Sequence, residues 1–360
     1  MKYPPVHYHS YLGLDSLLNT QKLKSAEHGH PAHEEHLFII VHQTYELWFK
    51  QIIVELESIL KIFTQTPVPE RDMGIAVRRL HRVTSIQRLL NSQIDVLETM
   101  TPLEFLEFRD YLYPASGFQS YQWRKIETYL GLKIEDRLKY NDSPFYKILS
   151  PAQQTEMLQI LSQPSLLDLV DKWLSRTPFL KDKNFDFWTE YQKAVEKMFQ
   201  EDLSTVKANP NLSVDQREKT LQMIAGSQKT FEALFDEKSY NELKNQGQFR
   251  LSYQALHAAL LIQLYRDQPL FQLPFEMLQS LLDIDELMTQ WRYRHSLMAH
   301  RMLGQKIGTG GSSGHDYLKS ATEKHKIFTD FFNLSTFFIP ASKIPALPPE
   351  LTKQMGYQIS

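Results

Sequence analysis

The sequence predicts an all-α protein. Apolar residues recur at three- and four-residue spacing through most of the 360 residues, and no segment alternates convincingly as a half-buried strand would. Helix-start residues also stand where several periodic stretches begin.

The first long stretch, 34–63, places Phe38, Val41, Tyr45, Trp48, Ile52 and Leu56 on one side of a helix. A second, about 75–99, repeats the pattern with Leu80, Val83, Ile86, Leu90, Ile94 and Leu97. Thr101-Pro102-Leu103-Glu104 combines a capping threonine, proline at the first helical position and glutamate at the third. That helix carries Phe105, Phe108 and Arg109 and is expected to end before Pro114; the next runs from near Phe118 to Gly131. Residues 132–250 are more polar, with helix starts at Ser150-Pro151 and Ser213-Val214-Asp215-Gln216, and read as a smaller helical insertion. Helical periodicity resumes near 250 and again over 274–304, then breaks at a glycine-rich segment from Gly308 to Gly314. One further helix is expected over 317–332, and an extended, proline-rich tail after Pro340.

Lysine plus arginine number 40 against 42 acidic residues, so no net field invites nucleic acid or an anionic membrane. Cysteine is absent, which excludes disulfides, thiolate catalysis, iron–sulfur clusters and cysteine-bound zinc. The N-terminus lacks an apolar signal core, and no apolar run approaches a membrane span of about eighteen residues. A cytoplasmic location is the expectation.

Several residue groups could carry chemistry. Phe38, His42, Tyr45 and Phe49 share a helical stripe. This is either a core helix with one satisfied histidine or an aromatic-walled pocket with an imidazole that can hydrogen-bond a ligand. His295 and His300 lie five positions apart, about 140° around a helix, so they cannot face one ligand together. A single axial imidazole would suffice for haem, with the opposite face left to oxygen. Residues 308–314 lack the lysine of a phosphate-binding loop and no strand precedes them. They form either a connector or a flap whose N–H groups and Thr309 hydroxyl hold a small zwitterion. Arg109, one turn after Phe105, could fork onto a carboxylate or form a surface ion pair. The cluster His28, His30, His33 and His36 has no HExxH pattern and reads as a solvated loop entering a helix.

Taken together, YHSYLGLDSLLNTQKL, HEEHLFIIVHQTYELWFKQI, LETMTPLEFLEFRDYLYPASGFQSYQWR, RHSLMAHRMLGQKIGTGGSSG and FFNLSTFFIP resemble the tryptophan 2,3-dioxygenase family, in the family's order. The blocks cover about a third of the chain densely; 132–250 matches poorly. The resemblance implies a helical-bundle haem domain with a smaller helical insertion. Residues 1–131 would form the N-terminal arm and distal half, 132–250 the insertion, and 251–360 the proximal half with a glycine-rich flap. It further implies haem b and a homotetramer in which the arm is exchanged between subunits.

On this resemblance His295, fourteen residues before Thr309, is the axial ligand of the haem iron. His42 is the distal histidine that bonds the indole N–H, Phe38 and Phe105 line the indole pocket, and Arg109 holds the amino-acid carboxylate. Thr309 contacts the ammonium and carboxylate, while Tyr8, Tyr11 and Leu12 close over a neighbouring subunit's site. Trp123 stands where relatives carry another aromatic near the haem. The implied reaction joins L-tryptophan and O2 to give N-formylkynurenine, the first step of the kynurenine pathway. A related haem enzyme that monooxygenates a tryptophan derivative, a non-catalytic haem or oxygen sensor, and a cofactor-free helical interaction module are the competing readings.

Overall fold

Helices account for nearly all regular structure in the computed structural model, which describes residues 3–138, 143–178, 180–182, 185–304, 306 and 314–356. The N-terminal helices are α1 (Tyr8–Leu12), α2 (Leu14–Leu17), α3 (Lys24–Glu27), α4 (His33–Phe63), α5 (Glu70–Leu97), α6 (Pro102–Arg109), α7 (Tyr121–Leu130) and α8 (Pro151–Leu161). The middle of the chain forms α9 (Leu166–Leu174), α10 (Phe187–Ala208), α11 (Val214–Phe235), α12 (Glu237–Asn245) and α13 (Tyr253–Leu264). Then come α14 (Pro269–Leu303), α15 (Gly314–Lys324), α16 (Thr329–Asn333) and α17 (Pro349–Met355). The one strand pairing among the described residues joins Lys181–Asp182 to Phe185–Asp186, antiparallel. No helix among the described residues is long and apolar enough to cross a membrane.

The chain divides into two units that interleave in sequence. The first takes Met1–Glu57, Arg82–Gln163 and Glu286–Lys326; the second takes Ser58–His81, Pro164–Asp285 and Ile327–Ser360. The polar stretch 132–250 is therefore shared between them.

In the first unit, α4 buries Val41, Tyr45, Phe49, Ile52 and Leu56 on one stripe, as three- and four-residue spacing requires. Each fully buried aliphatic or aromatic side chain contributes roughly 1.5–3 kcal/mol, so Ile52→Ala would cost roughly 2–5 kcal/mol through the cavity left behind. Polar bonds fix the pairing. The Tyr45 hydroxyl donates to the Leu90 carbonyl at 2.9 Å, and Gln93 donates to the Val41 carbonyl at 3.0 Å. On another side of α5, Asn91 donates to the Leu287 carbonyl at 3.1 Å and Arg294 to the Asn91 carbonyl at 2.6 Å. The start of α7 is tied to α4 by Ser120 and Gln122, which donate to the Glu46 carboxylate at 2.6 and 2.8 Å.

The entry to α4 is held by a buried acid. Glu35 accepts from the backbone N–H of Lys24 and of Ser25, at 2.7 and 2.9 Å, and from the Ser25 hydroxyl. The Ser25 oxygen in turn accepts from the Ala32 N–H at 2.9 Å.

The second unit packs α9 against α13 and α10 against α11. An aromatic cluster stacks Trp188 on His257 with centroids 3.4 Å apart, and the Tyr191 hydroxyl donates to the Phe337 carbonyl at 2.5 Å. Two buried aspartates organise the loops. Asp330 accepts from the N–H groups of Arg250 and Leu251, and Asp285 from those of Ile327 and Phe328.

Asp285 explains one departure from expectation. The helix expected over 317–332 is two helices, ending at Lys324 and restarting at Thr329, because the intervening N–H groups serve that carboxylate rather than a helical carbonyl. The tail after Pro340 is not simply extended either: a 3₁₀ turn at Ala341–Lys343 precedes α17, which begins with proline at its first position.

Candidate active site

The stripe on α4 begins with Phe38 and His42, one turn apart, with ring centroids separated by 4.1 Å. The Nδ1 of His42 lies 2.7 Å from the Phe38 carbonyl. A carbonyl only accepts, so Nδ1 carries the hydrogen and Nε2 presents a lone pair. The His42 side chain is exposed to solvent, although protein atoms crowd round the ring. Burial is the main cause holding its pKa below the ordinary histidine value, opposed by the Phe38 bond and the Glu46 charge. At neutral pH, His42 is therefore a neutral hydrogen-bond acceptor.

Beside it stands α6, started by a complete capping box. The Thr101 hydroxyl accepts from the Glu104 N–H at 3.4 Å, and the Glu104 carboxylate accepts from the Thr101 N–H at 2.7 Å. The helix sets Phe105 5.9 Å from Phe38, with Phe108 buried behind both. Arg109 follows one turn later, half-buried. Its guanidinium is thus placed on the helix that supplies an aromatic wall.

His295 projects from α14 and is also half-buried, but its Nδ1 is fully enclosed and has no hydrogen-bond partner among the described residues. Burial, then repulsion from His42, brings its pKa down to about 4. Trp291, one turn earlier on α14, lies 5.2 Å from His295 and 4.6 Å from the buried Trp123. Phe49 touches both indoles and Tyr45 touches that of Trp291. A neutral imidazole whose Nδ1 has no partner among the described residues, backed by aromatic rings, in a chain without cysteine, fits haem.

Ring contacts thus join Phe38, His42 and Phe105 in one group and Trp123, Trp291 and His295 in another. Tyr8, Tyr11 and Leu12 are not brought there: they lie on or beside the exposed face of α1, with Tyr11 76% exposed. Thr309 and the glycine-rich segment around it lie outside the described residues. His300 is exposed on α14, in line with the rotation between it and His295. No group of three or more histidine, aspartate or glutamate side chains among the described residues is disposed to hold a metal ion, including the histidines at 28–36. A cavity of about 560 Å³ in the second unit is lined by none of the predicted residues. Trp291 was not singled out from sequence, although its spacing of four from His295 placed it on the same helical face.

The family model described as Tryptophan 2,3-dioxygenase matches residues 3–338. The chain belongs to the tryptophan 2,3-dioxygenase family. It is 65% identical to the tryptophan 2,3-dioxygenase of Bdellovibrio bacteriovorus over 357 residues, 99% of either chain. It is also 46% identical to that of Alteromonas mediterranea, over 99% of this chain and 98% of the other, and 48% identical to that of Dictyostelium discoideum, over 98% and 88%. Membership of the tryptophan 2,3-dioxygenase family therefore extends through the polar middle stretch, 132–250, as well as the five motif blocks.

Proposed function

We propose that this protein is a haem-dependent dioxygenase that cleaves the C2–C3 bond of the indole ring of L-tryptophan with O2, yielding N-formylkynurenine, the first step of the kynurenine pathway. The observation that carries this reading is the state of His42. Its Nδ1–H is committed to the Phe38 carbonyl, so Nε2 is left as the acceptor that an indole N–H requires.

His295 is the residue that would hold the haem iron, through the nitrogen that is not enclosed. When bound, the haem supplies the centre at which dioxygen is activated for insertion into the indole. The chain's own residues do the rest. Phe38 and Phe105 flank the flat ring, His42 orients it by accepting the indole N–H, and Arg109 forks onto the carboxylate. Thr309 contacts the ammonium and carboxylate. Indole is electron-rich, so His42 need not remove a proton; its work is alignment. Trp123 and Trp291 form apolar backing on the side of His295 and help to exclude water.

Val6, Tyr8 and Tyr11 expose at least 70% of their surface, and Leu12 44%. Such an apolar arm is accounted for if a second copy covers it, and we infer a homotetramer in which Tyr8, Tyr11 and Leu12 close over a neighbour's site. An isotope experiment tests the central reading. With ¹⁸O2 and L-tryptophan, haem-loaded protein should give N-formylkynurenine carrying two heavy atoms. One heavy atom in an intact-ring product would mean a monooxygenase, and bound haem with no oxygen uptake would mean a sensor.

A further inference from the structure

One turn before His295 the chain carries Arg292, a buried guanidinium that the reaction itself does not use. Its Nη2 donates to Glu127 at 2.9 Å, and its Nη1 donates to the His325 carbonyl at 3.0 Å. Glu127, on α7, is completely buried. Its second oxygen accepts from Arg124 at 3.0 Å and from Arg137 at 2.6 Å. His325 closes the group. Its Nε2 accepts the Leu138 N–H at 3.0 Å, so its hydrogen is on Nδ1, which lies 3.8 Å from Glu127. Burial alone would raise the Glu127 pKa, but Arg124, Arg137, His325 and Arg292 together hold it well below the ordinary carboxylate value.

A buried ion cluster adds little net stability compared with apolar packing, because desolvation of the charges offsets their attraction. Its use here is geometric. The same turn of α14 presents three groups in sequence: Trp291 against Trp123, Arg292 against Glu127, and then His295. The Arg292 guanidinium also lies 5.7 Å from the centre of the Trp123 ring. One carboxylate on α7 therefore fixes the rotation of the α14 turn from which the imidazole projects.

We propose that Glu127 is a positioning residue for His295: by gripping Arg292 from α7 it sets the aim of the imidazole toward the cofactor. This rests on His295 being the iron ligand. Groups that orient a metal-ligating histidine typically change metal affinity by about 10–100-fold when removed. The expectation for Glu127→Gln is a weakening of haem affinity by about tenfold or more, read by titrating the haem-free protein. In the ferrous protein the iron–histidine stretching band should shift or broaden. In the haem-free protein, amide hydrogen exchange over 291–296 should quicken, a readout independent of the cofactor. Arg292→Lys keeps the charge but loses the fork. It should show the same changes in smaller measure, and it carries the test if Glu127→Gln does not fold. A folded variant whose haem affinity and iron–histidine band match the unaltered protein overturns the proposal, whatever its melting temperature. His295→Ala separates the two ideas: undiminished haem uptake there would remove the iron-ligand assignment itself, independently of Glu127.

Discussion

At the scale of single residues, His42 and Arg109 are assigned separable tasks. His42→Ala removes one hydrogen bond to the substrate, so turnover should fall about ten- to a hundredfold while the Soret absorption of bound haem persists. Because burial depresses the His42 pKa, the acceptor survives acidification past the usual histidine midpoint. The acid limb of kcat/KM should therefore lie below about pH 6.5, with a plateau above it, and a limb centred above that value would contradict the assignment. Arg109→Ala should raise KM for L-tryptophan about tenfold or more with a smaller change in kcat; unchanged substrate affinity would count against the carboxylate role. His257 belongs to stability. Burial brings its pKa down to about 3, so below the unfolded value of about 6.5 the unfolded chain binds the proton that the folded chain refuses. Stability is thus fully present above that pH. It should fall by roughly 1.4 kcal/mol per pH unit on acidification towards pH 3. His257→Phe, which cannot take a proton, should lose this component of the acid slope in urea titrations at pH 7, 5.5 and 4.5.

At the scale of elements, the capping box on α6 matters because that helix bears both Phe105 and Arg109. Thr101→Ala should cost about 1 kcal/mol, visible as a lower melting temperature, and should raise KM by loosening the helix start. If KM stays constant while stability falls, α6 is aligned by packing alone. This cap was legible in four consecutive residues, as were α4, most of α5 and the starts of α8 and α11. Local chemistry determines such features, and local chemistry is what a sequence displays. The division of 317–332 was not legible, because Asp285, far away in sequence, supplies the acceptor that breaks the helix. Trp291 was readable by spacing but not by role: its meaning comes from Trp123 on another helix. Glu127 gave no sign either, since a glutamate near the end of an amphipathic helix looks the same whether it meets water or three arginines.

At the scale of the whole molecule, three of the five places where the chain passes between the two units lie inside α4, α5 and α14. No shift in composition marks those places, and none was expected from periodicity. The exposed apolar arm yields a prediction at this scale. Removing residues 1–13 should lower the oligomer mass seen by light scattering and reduce turnover, with haem content nearly unchanged; a truncated protein of full mass and activity would end the arm-exchange reading. What limits the damage from such a truncation is the buried carboxylate of Glu35. It acts as a cleat: Lys24 and Ser25 are made fast to the start of α4, and Thr20 and Gln21 are bonded a little further along that helix, to Gln43. Both moorings lie beyond residue 13, so shortening the chain ahead of them leaves the helix that carries His42 still tied at its entry.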